Sequence, residues 1–304
     1  MLHKSRSRLP PQLLITPKYD ENLVICKTQE DVTKEHRRNT SYQQRPKQQK
    51  YNFQLCHQIG KGQFSKVMLV KNAGIFYALK MIDKKLIQKY NIGQQVQREI
   101  DIQSSIQHQN IVKVFGNFQD NDYIYLITEY CEKGNLYQKQ FSKEEIKKII
   151  KQILIGIQFL HSMGIMHRDV KPENIYLTQN DIIKIGDFGF SNYRGRRKTF
   201  CGTPEYMPPE IVLSQGNKNY YYNGYDERVD IWAIGILLFE LCNNTVPFRD
   251  SDRNKQQDRI CREAVQFKDD QDLNLNDFIQ KCLKKDPNLR ASIQELLIHP
   301  YLQI

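Results

Sequence analysis

The stretch His167-Arg168-Asp169-Val170-Lys171-Pro172-Glu173-Asn174, followed by Asp187-Phe188-Gly189, decides how this chain is interpreted. It places a carboxylate and a carboxamide five residues apart with a lysine between them, and a second carboxylate thirteen residues further on. Transfer of a phosphoryl group to a hydroxyl needs an acceptor for the hydroxyl proton, oxygen ligands for Mg²⁺ and a cation near the moving phosphate. These two motifs, in this order and at this spacing, supply all three.

By these residues the chain resembles the eukaryotic protein kinases, which implies an α+β, bilobal fold with a β-rich N-lobe and a mostly α-helical C-lobe. The resemblance implies that Asp169 orients the substrate hydroxyl and accepts its proton, and that Lys171 steadies the γ-phosphate of ATP. It implies Asn174 and Asp187 as the Mg²⁺ ligands. Lys171 together with Thr203 resembles the serine/threonine branch of the family.

A glycine-rich turn and a lysine-bearing strand lie upstream. Ile59-Gly60-Lys61-Gly62-Gln63-Phe64-Ser65-Lys66-Val67 joins two predicted strands, and its glycines let the backbone approach phosphates, although Ser65 replaces the usual third glycine. Lys80, 18 residues after Gly62, lies in an apolar strand and needs a countercharge, for which Glu99 is the candidate. An ordinary surface ion pair is the alternative. The resemblance implies nucleotide contacts from Ile59, Gly60, Gly62, Val67, Ala78, Lys80, Thr128, Glu129, Cys131 and Tyr176.

Composition limits the class of protein. The seven cysteines are scattered without a CxxC pair, which argues against a disulfide framework and for a reducing compartment. The longest apolar stretch, 231–242, contains Glu240 and is too short to span a bilayer. We also expect no secretion signal, and therefore a location in the cytoplasm or nucleus, including association with the spindle or cytoskeleton.

Basic residues are concentrated near the N-terminus. Residues 1–50 hold 11 Lys or Arg against 5 Asp or Glu, so +6 of the net charge of +11 lies there. We expect a disordered tail, in which the apolar residues Leu13–Ile15 and Leu23–Ile25 either dock on the folded part or have no role. We expect residues 51–304 to form the kinase domain, with an N-lobe at 51–128, a hinge at 129–133 and a C-lobe at 134–304.

Apolar periodicity predicts the elements of this domain. Short runs of β-branched and aromatic residues indicate strands, and an apolar stripe at 146, 149, 150, 153, 154 and 157 indicates a long helix. Strands are expected at 53–59, 67–71, 75–82, 111–117 and 123–129, and helices at 94–105, 143–162, 226–242 and 274–284.

A more detailed resemblance, over about residues 51–302, is to the Aurora family of kinases. It rests on three stretches: Glu99-Ile100-Asp101-Ile102-Gln103-Ser104, Ile124-Tyr125-Leu126-Ile127, and Arg196-Arg197-Lys198-Thr199-Phe200-Cys201-Gly202-Thr203. The resemblance implies a cell-cycle kinase with an activating protein on the N-lobe. The chain departs from the family pattern in four places: a shorter segment between Tyr137 and Phe141, Tyr176 at the adenine floor, a small Thr128 gatekeeper, and an Asn- and Tyr-rich insert at 214–225.

Thr199 is the expected activating phosphorylation site, because the basic residues before it resemble a substrate of such a kinase. A phosphate there adds about −1.5 to −2 charge. Arg98, Arg168 and Arg197 are expected to bind that phosphate and to order the loop. An unmodified threonine in a basic loop is the alternative.

The expected substrates are proteins with basic residues before serine or threonine. Glu173 is expected to bind an arginine two residues before the target, whereas Asn135 stands where a second acid would select arginine one residue further upstream. Phe190, directly after the second motif, is of a type associated with serine preference. Core packing is the other interpretation of Phe190, and the two are compatible.

Architectural contacts are expected as well. Glu210 should pair with Arg290, and Asp230 should cap the backbone of the catalytic loop from a buried helix. Two alternatives to an active kinase stay open. One is a catalytically weak scaffold, which only Ser65 and Tyr176 support; the other is a protein whose basic tail binds nucleic acid, microtubules or another acidic surface.

Overall fold

The computed structural model of the chain describes the backbone of Leu14–Ile15 and residues 53–193, 203–214 and 225–303. Two compact units are formed, one from Met1–Val96 and Lys113–Tyr130 and the other from Gln97–Val112 and Cys131–Ile304. The first is β-rich and the second is mostly helical, which confirms the predicted α+β fold class. The finer boundaries of the tail, lobes and hinge stay a prediction.

The first unit is a six-stranded antiparallel sheet in the order β1-β2-β3-β4-β6-β5. Its strands are β1 (Leu14–Ile15), β2 (Phe53–Lys61), β3 (Ser65–Asn72), β4 (Ile75–Asp83), β5 (Val114–Gln119) and β6 (Tyr123–Glu129). Leu14 and Ile15 lie opposite Gln54 and Phe53, so two residues of the expected tail pair with the sheet. The other tail residues lie outside the described part of the chain.

One face of this sheet carries the core of the first unit. Its buried members are Phe53, Val70, Leu79, Met81, Phe118, Tyr125 and Ile127. Helix α1 (Lys84–Tyr90) follows β4 and has no buried residue, so the sequence contains no apolar stripe that would predict it. It begins at Asp83, whose side chain accepts hydrogen bonds from the N–H groups of Lys85 and Leu86.

Helix α2 (Gly93–Ser105) precedes β5, and its residues from Gln97 onward belong to the second unit. Two long helices, α3 (Lys143–Ser162) and α5 (Arg228–Asn243), also lie in this unit. Its other elements are β7 (Ile165–Met166), β8 (Ile175–Leu177), β9 (Ile183–Ile185), β10 (Asn192–Tyr193), α4 (Pro209–Leu213), α6 (Arg253–Arg262), α7 (Leu273–Cys282) and α8 (Ile293–Leu297). Helix α3 begins with a capping box formed by Ser142 and Glu145 and buries the predicted stripe. Helix α5 is buried on all sides, with Trp232 fully enclosed.

Two expectations about secondary structure differ from the structure. The strand predicted at 111–117 is found at Val114–Gln119, because Val112 N–H instead donates to Ile185 O at 2.8 Å and Ile111 bridges to Ile185. Helix α6 was not predicted, since only Gln256 and Ile260 of its residues are buried. In the part of the chain that is described, no helix is long and apolar enough to cross a membrane.

Candidate active site

The loop after β7 is held by a buried aspartate at the start of α5. Asp230 accepts hydrogen bonds from the backbone N–H of His167 at 3.0 Å and of Arg168 at 2.7 Å, and from His161 Nε2 at 2.8 Å. Burial alone would raise the pKa of Asp230, but the hydrogen bonds from His161 and from the Arg168 backbone N–H lower the pKa below its ordinary value. The predicted capping role of Asp230 is confirmed.

His167 connects this loop to the second motif. Its Nδ1 accepts the Asp169 N–H at 3.3 Å, and its Nε2 donates to Gly186 O at 3.0 Å, which defines the neutral Nε2–H tautomer. The fully buried Phe188 ring meets the imidazole edge-on at 5.1 Å. Gly186 N–H donates in turn to Asn174 O at 2.9 Å. The two motifs therefore share one hydrogen-bonded frame.

Four predicted residues form a single polar cluster. Asp169 is buried; its Oδ1 accepts from Thr203 Oγ1 at 3.0 Å, and its Oδ2 accepts from Lys171 Nζ at 2.9 Å and from Asn174 Nδ2 at 2.8 Å. Lys171 Nζ also donates to Thr203 Oγ1 at 2.6 Å. The carboxylate is thus fixed from three sides, beside a cation. This arrangement can orient a hydroxyl and accept its proton.

The side chains of Asp187 and Glu99 both lie close to Gly189. Asp187 is exposed, has a φ of +55° and accepts the Gly189 N–H at Oδ1 at 3.3 Å. A Cβ added at Gly189 would lie 3.3 Å from Asp187 Oδ1 and 3.5 Å from Oε2 of the buried Glu99. Arg168 also has a positive φ, +69°. Such backbone strain in non-glycine residues concentrates at functional sites.

The predicted Mg²⁺ ligands suit that ion. The amide nitrogen of Asn174 donates to both Oδ2 and the backbone O of Asp169, at 2.8 and 2.9 Å, which leaves the amide oxygen for a cation. Asp187 adds an exposed carboxylate. Mg²⁺ is usually held by one or two carboxylates together with substrate phosphates and water. Among the described residues no group of three or more His, Cys, Asp or Glu is placed to hold a metal ion.

The nucleotide residues predicted for the first unit lie on its central strands. Ile59 and Gly60 are in β2, Gly62 is in the turn, Val67 is in β3, Ala78 and Lys80 are in β4, and Thr128 and Glu129 are in β6. Lys80 lies between Val67 and Leu126 in the strand register. Thr128 Oγ1 donates to Ala78 O at 3.1 Å, so the residue predicted as the gatekeeper is hydrogen-bonded to strand β4.

Two further residues predicted to contact the nucleotide belong to the second unit: Cys131, which is buried, and Tyr176 on β8. The Tyr176 ring packs against Gly186. A Cβ added at Gly186 would lie 3.0 Å from Tyr176 Cε2 and 3.0 Å from Val112 Cγ2, so a side chain there would require these neighbours to move by a few tenths of an ångström. Sequence reasoning noticed the unusual tyrosine but not the glycine that accommodates it, because nothing in the periodicity links the two.

The predicted phosphate-binding arginines are only partly described. Arg98 lies on α2 and is half-buried. Arg168 donates from Nε to Phe190 O at 2.6 Å and from Nη1 to the hydroxyl of Tyr225 at 2.7 Å. Thr199 and Arg197 lie outside the described residues, as do positions 215–224 of the predicted insert.

Glu173 belongs to a group of three carboxylates. Burial raises the pKa of Glu240 on α5, and the charges of Glu173 and Glu205 raise it further, against the hydrogen bond that Glu240 accepts from the Tyr206 hydroxyl. Asn135 Nδ2 donates to the backbone O of Glu173 at 3.2 Å. The sequence predicted only Glu173 as a carboxylate that binds substrate. Glu205 and Glu240 are distant from Glu173 in sequence, so their proximity depends on the fold.

The second architectural prediction is confirmed. Arg290 donates from Nη1 to Glu210 Oε1 and from Nη2 to Glu210 Oε2, both at 2.7 Å, and its side chain is fully buried. Its Nε and Nη1 also donate to the backbone oxygens of Lys284 and Arg228, both at 3.0 Å. The ion pair is bidentate, which fixes helix α4 against the segment that precedes helix α8.

The chain is similar to known protein kinases. Residues 53–302 match the family model described as protein kinase domain. An Aurora kinase of Yarrowia lipolytica is 38% identical over 261 residues, 83% of this chain and 68% of the relative. An Aurora kinase of Encephalitozoon cuniculi is 34% identical, covering 82% of this chain and 93% of the relative. Aurora kinase C of Mus musculus is also 34% identical, covering 83% and 92%. The chain therefore belongs to the protein kinase family and is an Aurora-like serine/threonine protein kinase.

Proposed function

We propose that this kinase transfers the γ-phosphoryl group of ATP, with Mg²⁺, to serine or threonine in basic protein segments. The observation that carries the proposal is the cluster of Asp169, Lys171, Asn174 and Thr203, in which three polar bonds converge on the Asp169 carboxylate. The losses expected of an inactive scaffold, at Lys80, Asp169, Asn174 or Asp187, are absent from the sequence.

Asp169 orients the substrate hydroxyl and accepts its proton late in the transfer, while Lys171 steadies the phosphate beside it. Thr203 bridges these two side chains, so their separation is fixed before substrate arrives. Mg²⁺ held by Asn174 and Asp187 would neutralise charge on the phosphate oxygens. Lys80, paired with Glu99, is the expected ligand of the other phosphates; that pairing stays a prediction.

Two substitutions test the mechanism. Asp187→Asn should weaken Mg²⁺ binding, since a neutral amide replaces a charged ligand. Asp169→Asn should leave ATP binding intact but remove the proton acceptor. Transfer of labelled phosphate to a basic serine peptide is measured for both purified variants, and binding of a fluorescent ATP analogue confirms that each is folded. A rate close to that of the wild type in either variant would refute the assigned roles.

Phosphorylation of Thr199 is proposed to activate the enzyme. Two of the arginines expected to bind the phosphate, Arg98 and Arg168, are described, and Arg168 already bonds to Phe190 O, directly after the second motif. A phosphate on Thr199 would therefore act on the backbone that follows the Asp187 motif. Mass spectrometry of active protein is the test. An unphosphorylated Thr199 together with full activity of Thr199→Ala would contradict the proposal.

Arginine two residues before the target is proposed to bind the carboxylates of Glu173, Glu205 and Glu240. Burial raises the pKa of Glu240, and the charges of Glu173 and Glu205 raise it further; a bound guanidinium would offset that repulsion. A charge-assisted hydrogen bond contributes about 1.5–3 kcal/mol, or roughly tenfold selection or more. A positional peptide library measures this for the wild type, Glu173→Ala and Glu240→Gln. Indifference to arginine in the wild type would overturn the assignment, as equal use of serine and threonine would overturn the role of Phe190.

The remaining proposals concern partners and place. An activating protein on the first unit and an acidic surface such as a microtubule, bound through residues 1–50, are proposed from the Aurora resemblance and the charge of the tail. We place the protein in the cytoplasm or nucleus. Deleting residues 1–50 should abolish microtubule or nucleic-acid binding in a sedimentation assay while phosphotransfer persists. Unchanged binding would remove the tail from consideration.

A further inference from the structure

The tip of the glycine-rich turn contacts an aromatic residue from helix α1. The rings of Phe64 and Tyr90 lie 5.3 Å apart between centroids, with 60° between their planes. Tilted ring pairs at this distance attract each other because the edge of one ring meets the face of the other. Phe64 is half-buried, and Tyr90 is 50% exposed. Both belong to the first unit.

The start of the same helix is also attached to the turn. Asp83 N–H donates to Phe64 O at 3.1 Å, and Asp83 Oδ1 accepts the Lys85 N–H at 2.8 Å to begin α1. Lys84 N–H donates to Asp122 O at 2.9 Å, which fixes the first helical residue to the β5–β6 turn. Helix α1 thus starts beside the Phe64 backbone and returns to the Phe64 ring at its last residue.

Neither partner is placed by core packing. Helix α1 has no buried residue, so the position of Tyr90 is not a by-product of burial elsewhere on the helix. The turn has glycine at 60 and 62, and Gly62 N–H donates to Ser65 O at 2.8 Å. Glycines leave the backbone with many accessible conformations. Phe64 is the bulky side chain through which such a turn can be held.

We propose that Tyr90 is a positioning residue for this turn: its ring holds Phe64 and so keeps the turn in the conformation that covers the phosphates of ATP. The inference rests on the proposed kinase function, because the turn covers phosphates only if the protein binds ATP. The alternative is that Tyr90 contacts Phe64 without affecting the conformation of the turn.

Kinetics in the full-length chain separate these two cases. Tyr90→Ala should raise the KM for ATP about two- to tenfold, the effect expected from the loss of one aromatic pair. Tyr90→Phe keeps the ring and should have the KM of the wild type. Tyr137→Ala, which truncates a tyrosine that is 48% exposed in the second unit, is the matched control. Phe64→Ala combined with Tyr90→Ala should raise KM no further than Phe64→Ala alone.

Hydrogen exchange of the amides at 61–66 in nucleotide-free protein gives a readout that needs no activity. Exchange should be faster in Tyr90→Ala than in the wild type and unchanged in Tyr90→Phe. Equal exchange in Tyr90→Ala and wild type overturns the proposal, and so does a KM for ATP that Tyr90→Ala leaves unchanged in an active enzyme. If the wild type transfers no phosphate, the proposed function fails, and exchange alone still decides whether Tyr90 holds the turn.

Discussion

Replacing Thr203 with valine removes the hydroxyl that bridges Asp169 and Lys171. Two hydrogen bonds are lost, one of 3.0 Å to Asp169 Oδ1 and one of 2.6 Å from Lys171 Nζ. The direct bond of 2.9 Å between Lys171 Nζ and Asp169 Oδ2 remains. The variant should therefore fold, with its catalytic carboxylate held from two sides instead of three.

The size of the effect follows from these bonds. A hydrogen bond to a charged group contributes about 1.5–3 kcal/mol. Because the direct Lys171–Asp169 bond survives, the loss should be nearer to one such bond than to two. At about 1.36 kcal/mol per factor of ten, kcat should fall about ten- to 150-fold. The KM for ATP should change little, since Thr203 contacts the groups that act on the hydroxyl.

Steady-state phosphorylation of a basic serine peptide at saturating ATP measures this, with urea unfolding as the check on stability. Thr203→Ser keeps the hydroxyl and drops only the methyl group, so its kcat should stay within about threefold of the wild type. A Thr203→Val enzyme as fast as the wild type, or a Thr203→Ser enzyme as slow as the valine variant, would refute the reasoning.

Three other perturbations have defined outcomes. Glu210→Gln leaves Arg290 buried without a countercharge, so the free energy of unfolding in urea should fall by about 3–5 kcal/mol; an unchanged value would show that the charge of the pair is dispensable. Gly186→Ala places a Cβ 3.0 Å from the Tyr176 ring. It should lower the same free energy by about 1–3 kcal/mol, and adding Tyr176→Leu should recover part of the loss, whereas no recovery would locate the conflict elsewhere. Burial lowers the pKa of Lys285 from 10.5 to about 8, so between these pH values the unfolded chain binds more protons and stability should rise with pH. Lys285→Met should remove that rise, and identical pH profiles of the two proteins would contradict the assignment.

The catalytic loop was predictable because its chemistry is local in sequence. Asp169, Lys171 and Asn174 lie within six consecutive positions, so one short loop places their side chains together whatever surrounds it. The pairing of Glu210 with Arg290 spans 80 residues and came only from the family resemblance. Periodicity located the long helices well, since a buried apolar stripe determines where such helices lie.

What the sequence left out depends on contacts between distant elements. Helix α1 has no buried residue, so the N-cap residue Asp83, and not apolar periodicity, marks its start in the sequence. The contact of Tyr90 with Phe64 crosses 26 positions, and no pattern of apolar residues marks it. The space that Gly186 provides for Tyr176 is a property of packing, which becomes visible only when both backbones are placed.

Helix α5 links the backbone support of the catalytic loop to the carboxylates proposed to bind a substrate arginine. Asp230 near its start holds the catalytic loop, and Glu240 near its end joins the carboxylate group around Glu173. Ten residues of α-helix separate these two acids, about 15 Å at 1.5 Å per residue. Because the stretch from Val229 to Phe239 is buried throughout, this separation cannot vary without disturbing the core. The helix thereby fixes the spacing between the aspartate that supports the catalytic loop and the proposed arginine site.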